Sequence, residues 1–185
     1  KSDGSLWAMG RDNVGQLGNG AGSDNVESPQ QIVAGGVTAI AAGHSHSLFI
    51  KSDGSLWAMG RDNYGQLGNG AGSDNVESPQ QIVAGGVTAI AAGWYHSLFL
   101  KSDGSLWAMG RDNAGQLGNG AGSDNVESPQ RIVASGVSEI DGGVYHSLFL
   151  KSDGSLWGMG SDTDGQLGNG AGRSDQESPQ QIVAS

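Results

Sequence analysis

The chain has 185 residues, a formal charge of −10 and no cysteine. Such an acidic chain repels phosphate, which argues against nucleic acid and anionic lipid as partners. The missing thiols exclude a disulfide framework and thiolate metal sites, and no run is long or apolar enough for a membrane span or a signal peptide.

A period of fifty residues organises the rest. Residues 1–50, 51–100 and 101–150 are near-identical, and residues 151–185 repeat the first thirty-five positions and stop. Self-similarity at this spacing means a solenoid, a propeller or an array, here one repeat domain. The 34 glycines cluster between apolar runs, where turns need them.

In chain order, the second copy opens on Ser52-Asp53-Gly54, a turn signal. Short apolar runs at 46–50 and 56–59 flank it and predict a hairpin. Gly60 begins a polar loop, residues 61–78, that Pro79 closes. Residues 80–83 predict a third, more polar strand. Residues 84–86 turn the chain into a fourth strand at 87–92, and residues 93–95 lead back to His96. No window carries a helical pattern.

The runs LWAM, LFL and VTAIAA are apolar at nearly every position. A strand with one wet face should alternate instead. Short continuous runs suit strands dry on both faces, as in a propeller blade pressed between two others. The predicted fold is therefore all-β, a β-propeller of four-stranded antiparallel blades. From the axis outward the strands are A (87–92, with small residues), B (96–100), C (106–109) and D (130–133). The chain holds about 3.5 blades, starting at a C strand and ending after a D strand. An open stack exposes apolar faces and sheet edges, so we expect a homo-oligomer, most simply a two-fold dimer that closes a ring. Both leftover half-blades supply C and D strands, so closure requires rearranged strands, thin blades or more chains.

The pattern G-V-x-x-I-x-x-G-x-x-H-S-L-F-L-x-x-D-G-x-L-W-x-x-G-x-x-x-x-G-Q-L-G resembles the repeat of the regulator of chromosome condensation family. Gly93, His96, Gly104, Trp107, Gly110, Gly115, Gln116, Leu117 and Gly118 fall in register with it. The resemblance covers the whole chain. It implies a propeller, usually seven-bladed, that serves as a binding platform. Members of that family include a chromatin-docked nucleotide-exchange factor and bacterial inhibitors of β-lactamases. Those activities lie on loops particular to each member, so neither is carried over. The near-identical copies, the incomplete copy number and the missing basic surface set this chain apart.

Antiparallel order puts the A–B turns and C–D loops on one face, and the copies differ there. Positions 44 and 45 are His44 and Ser45, where the next copies have Trp94 and Tyr95, then Val144 and Tyr145. Position 14 is Val14, and its counterparts are Tyr64, Ala114 and Asp164. The candidate partner-binding set is therefore His44, Ser45, Tyr64, Trp94, Tyr95, Val144, Tyr145 and Asp164. Aromatic residues on such a face are interface anchors, and drift at solvated loop tips is the plainer alternative.

Other chemistry is weakly signalled. His46, His96 and His146 recur once per copy, and three histidines at matched depth around a channel are a zinc arrangement in principle, but a histidine opening a buried strand more often bonds a neighbouring backbone carbonyl. Residues 70–74 partly match a calcium rung, yet true rungs repeat every nine residues. Asp62 and Asn63 read as turn caps. Asp74 and Glu77 are a poor glycosidase pair without a cleft. No nucleophile elbow occurs, and Trp57, Trp107 and Trp157 read as core. Asp141, where sister copies have Ala, marks a looser boundary near the end of the array. The expected function is a non-catalytic, cofactor-free repeat scaffold, amplified or designed, that self-assembles and offers a loop face to a protein. A dedicated inhibitor or receptor-type binder, and a calcium- or carbohydrate-binding propeller, are the alternatives.

Overall fold

A computed structural model describes residues 2–22, 25–72, 74–122, 124–170 and 174–185. Ser73, in the segment compared with a calcium rung, lies outside them. The described residues form fourteen strands and no helix. A half-blade pairs β1 (Leu6–Gly10) with β2 (Val26–Val33). The next blade is β3 (Val37–Ala42), β4 (His46–Lys51), β5 (Leu56–Gly60) and β6 (Val76–Val83). Then come β7 (Val87–Ala92), β8 (His96–Lys101), β9 (Leu106–Gly110) and β10 (Val126–Val133). The last blade is β11 (Val137–Gly142), β12 (His146–Lys151), β13 (Leu156–Gly160) and β14 (Gln176–Val183). Each blade is antiparallel, with its strands in chain order. The chain is thus a propeller arc of about three and a half blades.

The core lies in the seams between blades. Strands β4, β8 and β5, β9 supply Leu48, Phe49, Leu56, Leu98, Phe99 and Leu106, all essentially dry. One cluster joins Leu48 and Leu56 to Phe99 and Met109 of the following blade. This is the two-sided burial that the continuous apolar runs require.

Three details differ from the sequence reading. The outer strand starts four residues earlier, at Val76 in β6, and Pro79 lies inside it. An edge position tolerates proline because its missing N–H would face solvent. The ladder steps from Gly60–Val76 to Ala58–Gln80, so the strand bulges around Glu77-Ser78-Pro79. Second, the inner strand is the wettest of the apolar ones: β3 alternates half-buried and exposed residues, and Ile40 is 68% exposed. Ile40 faces the half-blade of β1 and β2, which has no inner strands to cover it, whereas its counterpart Ile90, with a full blade before it, is half-buried. Third, the tryptophans are half-buried rather than core. Trp57 stacks on Phe49 at 6.1 Å, carries Lys51 Nζ at 4.0 Å and donates its indole N–H to Ser55 Oγ. Asp141 is exposed on β11 and accepts from the Gly142 amide, consistent with a looser end.

Candidate protein-binding face

The first turn of the loop after each C strand is braced by hydrogen bonds and leaves one side chain outside them. In the second copy, Asp62 Oδ1 accepts from the Leu67 amide at 2.9 Å. The Gly65 amide donates to the Asp62 carbonyl, and Gln66 Oε1 accepts from the Tyr64 amide at 3.0 Å. Leu67 is fully buried beneath. The backbone at position 64 is therefore held on both sides while its side chain takes no part in those hydrogen bonds. Burial pushes the carboxyls of Asp62 and its counterpart Asp112 up to about 6, against the pull of those amide bonds.

The same loop clasps the following blade. Gly65 (φ +77°) passes so close that a Cβ would sit 2.6 Å from Glu127 Cα. Nearby, the Gly70 amide donates to the Glu127 carbonyl at 2.8 Å. The bulge in the outer strand makes that carbonyl available to the clasp. At the other end of the loop, Ser97 Oγ donates to the Gln66 carbonyl at 2.7 Å.

The recurrent histidines complete the clasp. His46 Nε2 lies 2.9 Å from Ser97 Oγ of the following blade, and His96 stands likewise to Ser147. The hydroxyl proton is committed to the Gln66 carbonyl, so Ser97 accepts from His46 Nε2–H. That fixes the tautomer and leaves Nδ1 without a hydrogen-bond partner among the described residues. The partner is thus a hydroxyl across the seam, where the sequence suggested a backbone carbonyl. A second proton would create a dry cation. Burial accordingly holds His46 down to about 4 and His96 to about 3, with neighbouring histidines adding to the effect. The His146 ring is also lowered by burial, opposed by Asp141 and Asp162.

Above the clasps sits a cluster drawn from three blades. Trp94 stacks on Tyr95 at 5.3 Å and tilts against Tyr145 at 5.5 Å. His44 stands edge-on to Trp94 at 5.0 Å, and Tyr64 meets Tyr95 at 5.1 Å. Ser45, buried, has its Oγ 2.7 Å from His44 Nδ1. His44, Trp94 and Val144 line a hollow of about 310 Å³ floored by Gly43, Gly93, Gly142 and Gly143. Asp164 stands apart, exposed in the last loop, its amide donating to Gln166. The other predicted residues come together.

Two arginines were missed. The Arg61 amide donates to the Ser45 carbonyl and the Arg111 amide to the Tyr95 carbonyl, which anchors each beside an A–B turn. Arg61 Cζ lies 5.8 Å from the Tyr64 ring and 5.5 Å from Tyr95. Arg111 Cζ lies 5.2 Å from Tyr64, 5.6 Å from Tyr95 and 5.6 Å from Tyr145. Arginine fills this position in the first three copies, so variation between copies gave no signal. Its place three residues before the variable position was the available clue.

Comparison with known proteins agrees with this geometry. The profile of the regulator of chromosome condensation (RCC1) repeat matches residues 3–50, 53–100, 103–150 and 153–185. A second RCC1 repeat profile matches residues 37–66, 87–116 and 137–166. Among solved structures, Prp20p from Saccharomyces cerevisiae superposes with a TM-score of 0.84 at 24% identity, over 98% of this chain and 47% of that one. Yeast RCC1 (Prp20) bound to Kap60 gives 0.83 at 23%, over 98% and 45%. Human WBSCR16 gives 0.82 at 24%, over 97% and 47%. The chain therefore spans about half the length of these structures. No curated protein sequence matches it.

Proposed function

The chain belongs to the regulator of chromosome condensation (RCC1) repeat family, and from that premise we propose that it is a non-catalytic propeller scaffold that docks a protein on its A–B and C–D face. The observation that carries this reading is the aromatic cluster of Tyr64, Trp94, Tyr95 and Tyr145. It draws on three blades and sits where near-identical copies differ. Large amphipathic rings held rigid at a surface make contact at low entropic cost. Relatives of this fold are described as bound to Kap60, or as binding Gsp1p and histones, which supports a protein partner in general terms. The test is capture of partners by the wild type and by the Trp94→Ala/Tyr95→Ala variant. Bound protein should disappear in the variant while the melting temperature hardly moves. A large fall in melting temperature would make these rings packing residues.

The same scaffold self-associates in this reading. Met9 is 59% exposed, whereas its counterpart Met59 is 2% exposed beneath Gly18 of the preceding loop. At the far end Gly168, the counterpart of Gly18, covers nothing. A second copy seating its Gly168 loop on Met9 would cover both surfaces. Light scattering at micromolar concentration should then give a multimer, and a monomeric mass removes this part of the proposal.

A further inference from the structure

We propose that the face is built for an acidic segment of a protein partner, with carboxylates engaging Arg61 and Arg111 and an apolar side chain entering the adjacent hollow. This rests on the protein-docking reading above and names the chemistry of the partner. Arg61 and Arg111 flank Tyr64 and Tyr95, each guanidinium within 6 Å of both rings. A ring beside a guanidinium takes up none of its N–H donors. Among the described residues neither group forms an ion pair or a side-chain hydrogen bond. Both are only half-buried, so a ligand reaches them. Two fixed forks with unspent donors match carboxylates in a bidentate manner.

The arrangement is confined to this junction. Arg11 has Val14 beside it in sequence instead of a tyrosine and is exposed. The fourth copy has Ser161 in place of arginine and Asp164 in place of the aromatic. The chain carries −10 overall, and the two arginines with unspent donors are the feature of this face that an acidic ligand can use. The glycine-floored hollow of about 310 Å³, rimmed by Trp94 and His44, adds an apolar subsite next to the charges. An extended segment with acidic and apolar side chains in alternation fits both.

The probe is a fluorescein-labelled synthetic peptide alternating Glu with Leu, followed by anisotropy on the whole chain. Controls replace Glu by Gln or by Lys, and an oligothymidylate of equal charge serves as competitor. Saturable binding of the Glu peptide is expected, weakened by salt. Each arginine replaced by glutamine should weaken it about tenfold, the scale of one charge-assisted bond. The Arg61→Gln/Arg111→Gln variant should keep the wild-type melting temperature. Equal binding of the Gln peptide, or unchanged affinity in the double variant, overturns the proposal. Equal competition by oligothymidylate overturns it in favour of a nucleic-acid ligand. If the Gln or Lys peptide binds instead and Trp94→Ala/Tyr95→Ala abolishes it, protein docking stands and the acidic partner falls. If no peptide binds and partner capture is also indifferent to Trp94 and Tyr95, both readings fall.

Discussion

Replacing Ser97 with alanine should damage the chain far more than the same change at Ser47. Ser97 Oγ donates to the Gln66 carbonyl at 2.7 Å and accepts from His46 Nε2–H at 2.9 Å, inside a dry seam. Alanine strands both groups without water. A buried polar group left unpaired costs about 1–3 kcal/mol, so the loss at Ser97 is about 2–6 kcal/mol. Ser47 Oγ makes only the first of these bonds, to the Gln16 carbonyl, among the described residues. It is also half-buried, so water can replace the hydroxyl in part. Its loss should be about 1–2 kcal/mol. Urea unfolding followed by tryptophan fluorescence would measure both. In a repeat array the damage should appear as weakened coupling between neighbouring blades, so the transition of Ser97→Ala should also broaden. If Ser97→Ala loses no more than Ser47→Ala, the histidine–serine–carbonyl relay is not what joins the blades.

Two further tests address the clasp. Stability should be nearly flat between pH 6 and 4 as far as His46, His96, Asp62 and Asp112 decide it. The histidines, held to about 4 and about 3, lose stability as pH falls below their unfolded value of 6.5, while the aspartates, raised to about 6, gain it from pH 6 down towards 3.8. Asp62→Asn removes one compensating acid, so the variant should lose about 1.4 kcal/mol per pH unit across that window, and equal pH profiles in chemical denaturation would refute the balance. Gly65→Ala should cost several kcal/mol more than Gly165→Ala, measured by the same unfolding assay. Both glycines have φ near +78°, but a Cβ at Gly65 collides with Glu127 backbone while Gly165 has nothing within 4 Å, so equal losses would mean that backbone strain alone is at work.

The blades were legible in the sequence because their constraint is local. Residues 98–100 and 106–109 are apolar at every position, and only a strand dry on both faces needs that. The outer strand was misplaced because Pro79 reads as a stop, and only the pairing of Gly60 with Val76 shows a bulge around it. The recurrent histidine is plain in the sequence, but its partner is not. Its serine lies fifty-one positions away, in the next copy, and no local pattern points there. Variable positions located most of the aromatic cluster, since the turn and loop that carry them share a face. The arginines stand unchanged through the first three copies and give way to Ser161 only in the fourth, so they did not stand out beside the variable positions.

Why the copies differ where they do follows from the same contacts. The clasp consumes His46, Asp62, Gly65, Gln66 and Leu67 of one blade and Ser97 and Glu127 of the next, through backbone or side chain. Each of those positions meets a fixed partner, within its own loop or across the seam, so a change there breaks a contact that holds the clasp. Position 64 gives the clasp only its amide. Position 95 gives only its carbonyl, to the Arg111 amide. Their side chains are released from packing by the same bonds that hold their backbones still. An array built this way can change the chemistry of its face one blade at a time, at no cost to the seams. It does so here where Tyr64, Trp94, Tyr95 and Tyr145 converge on two arginines.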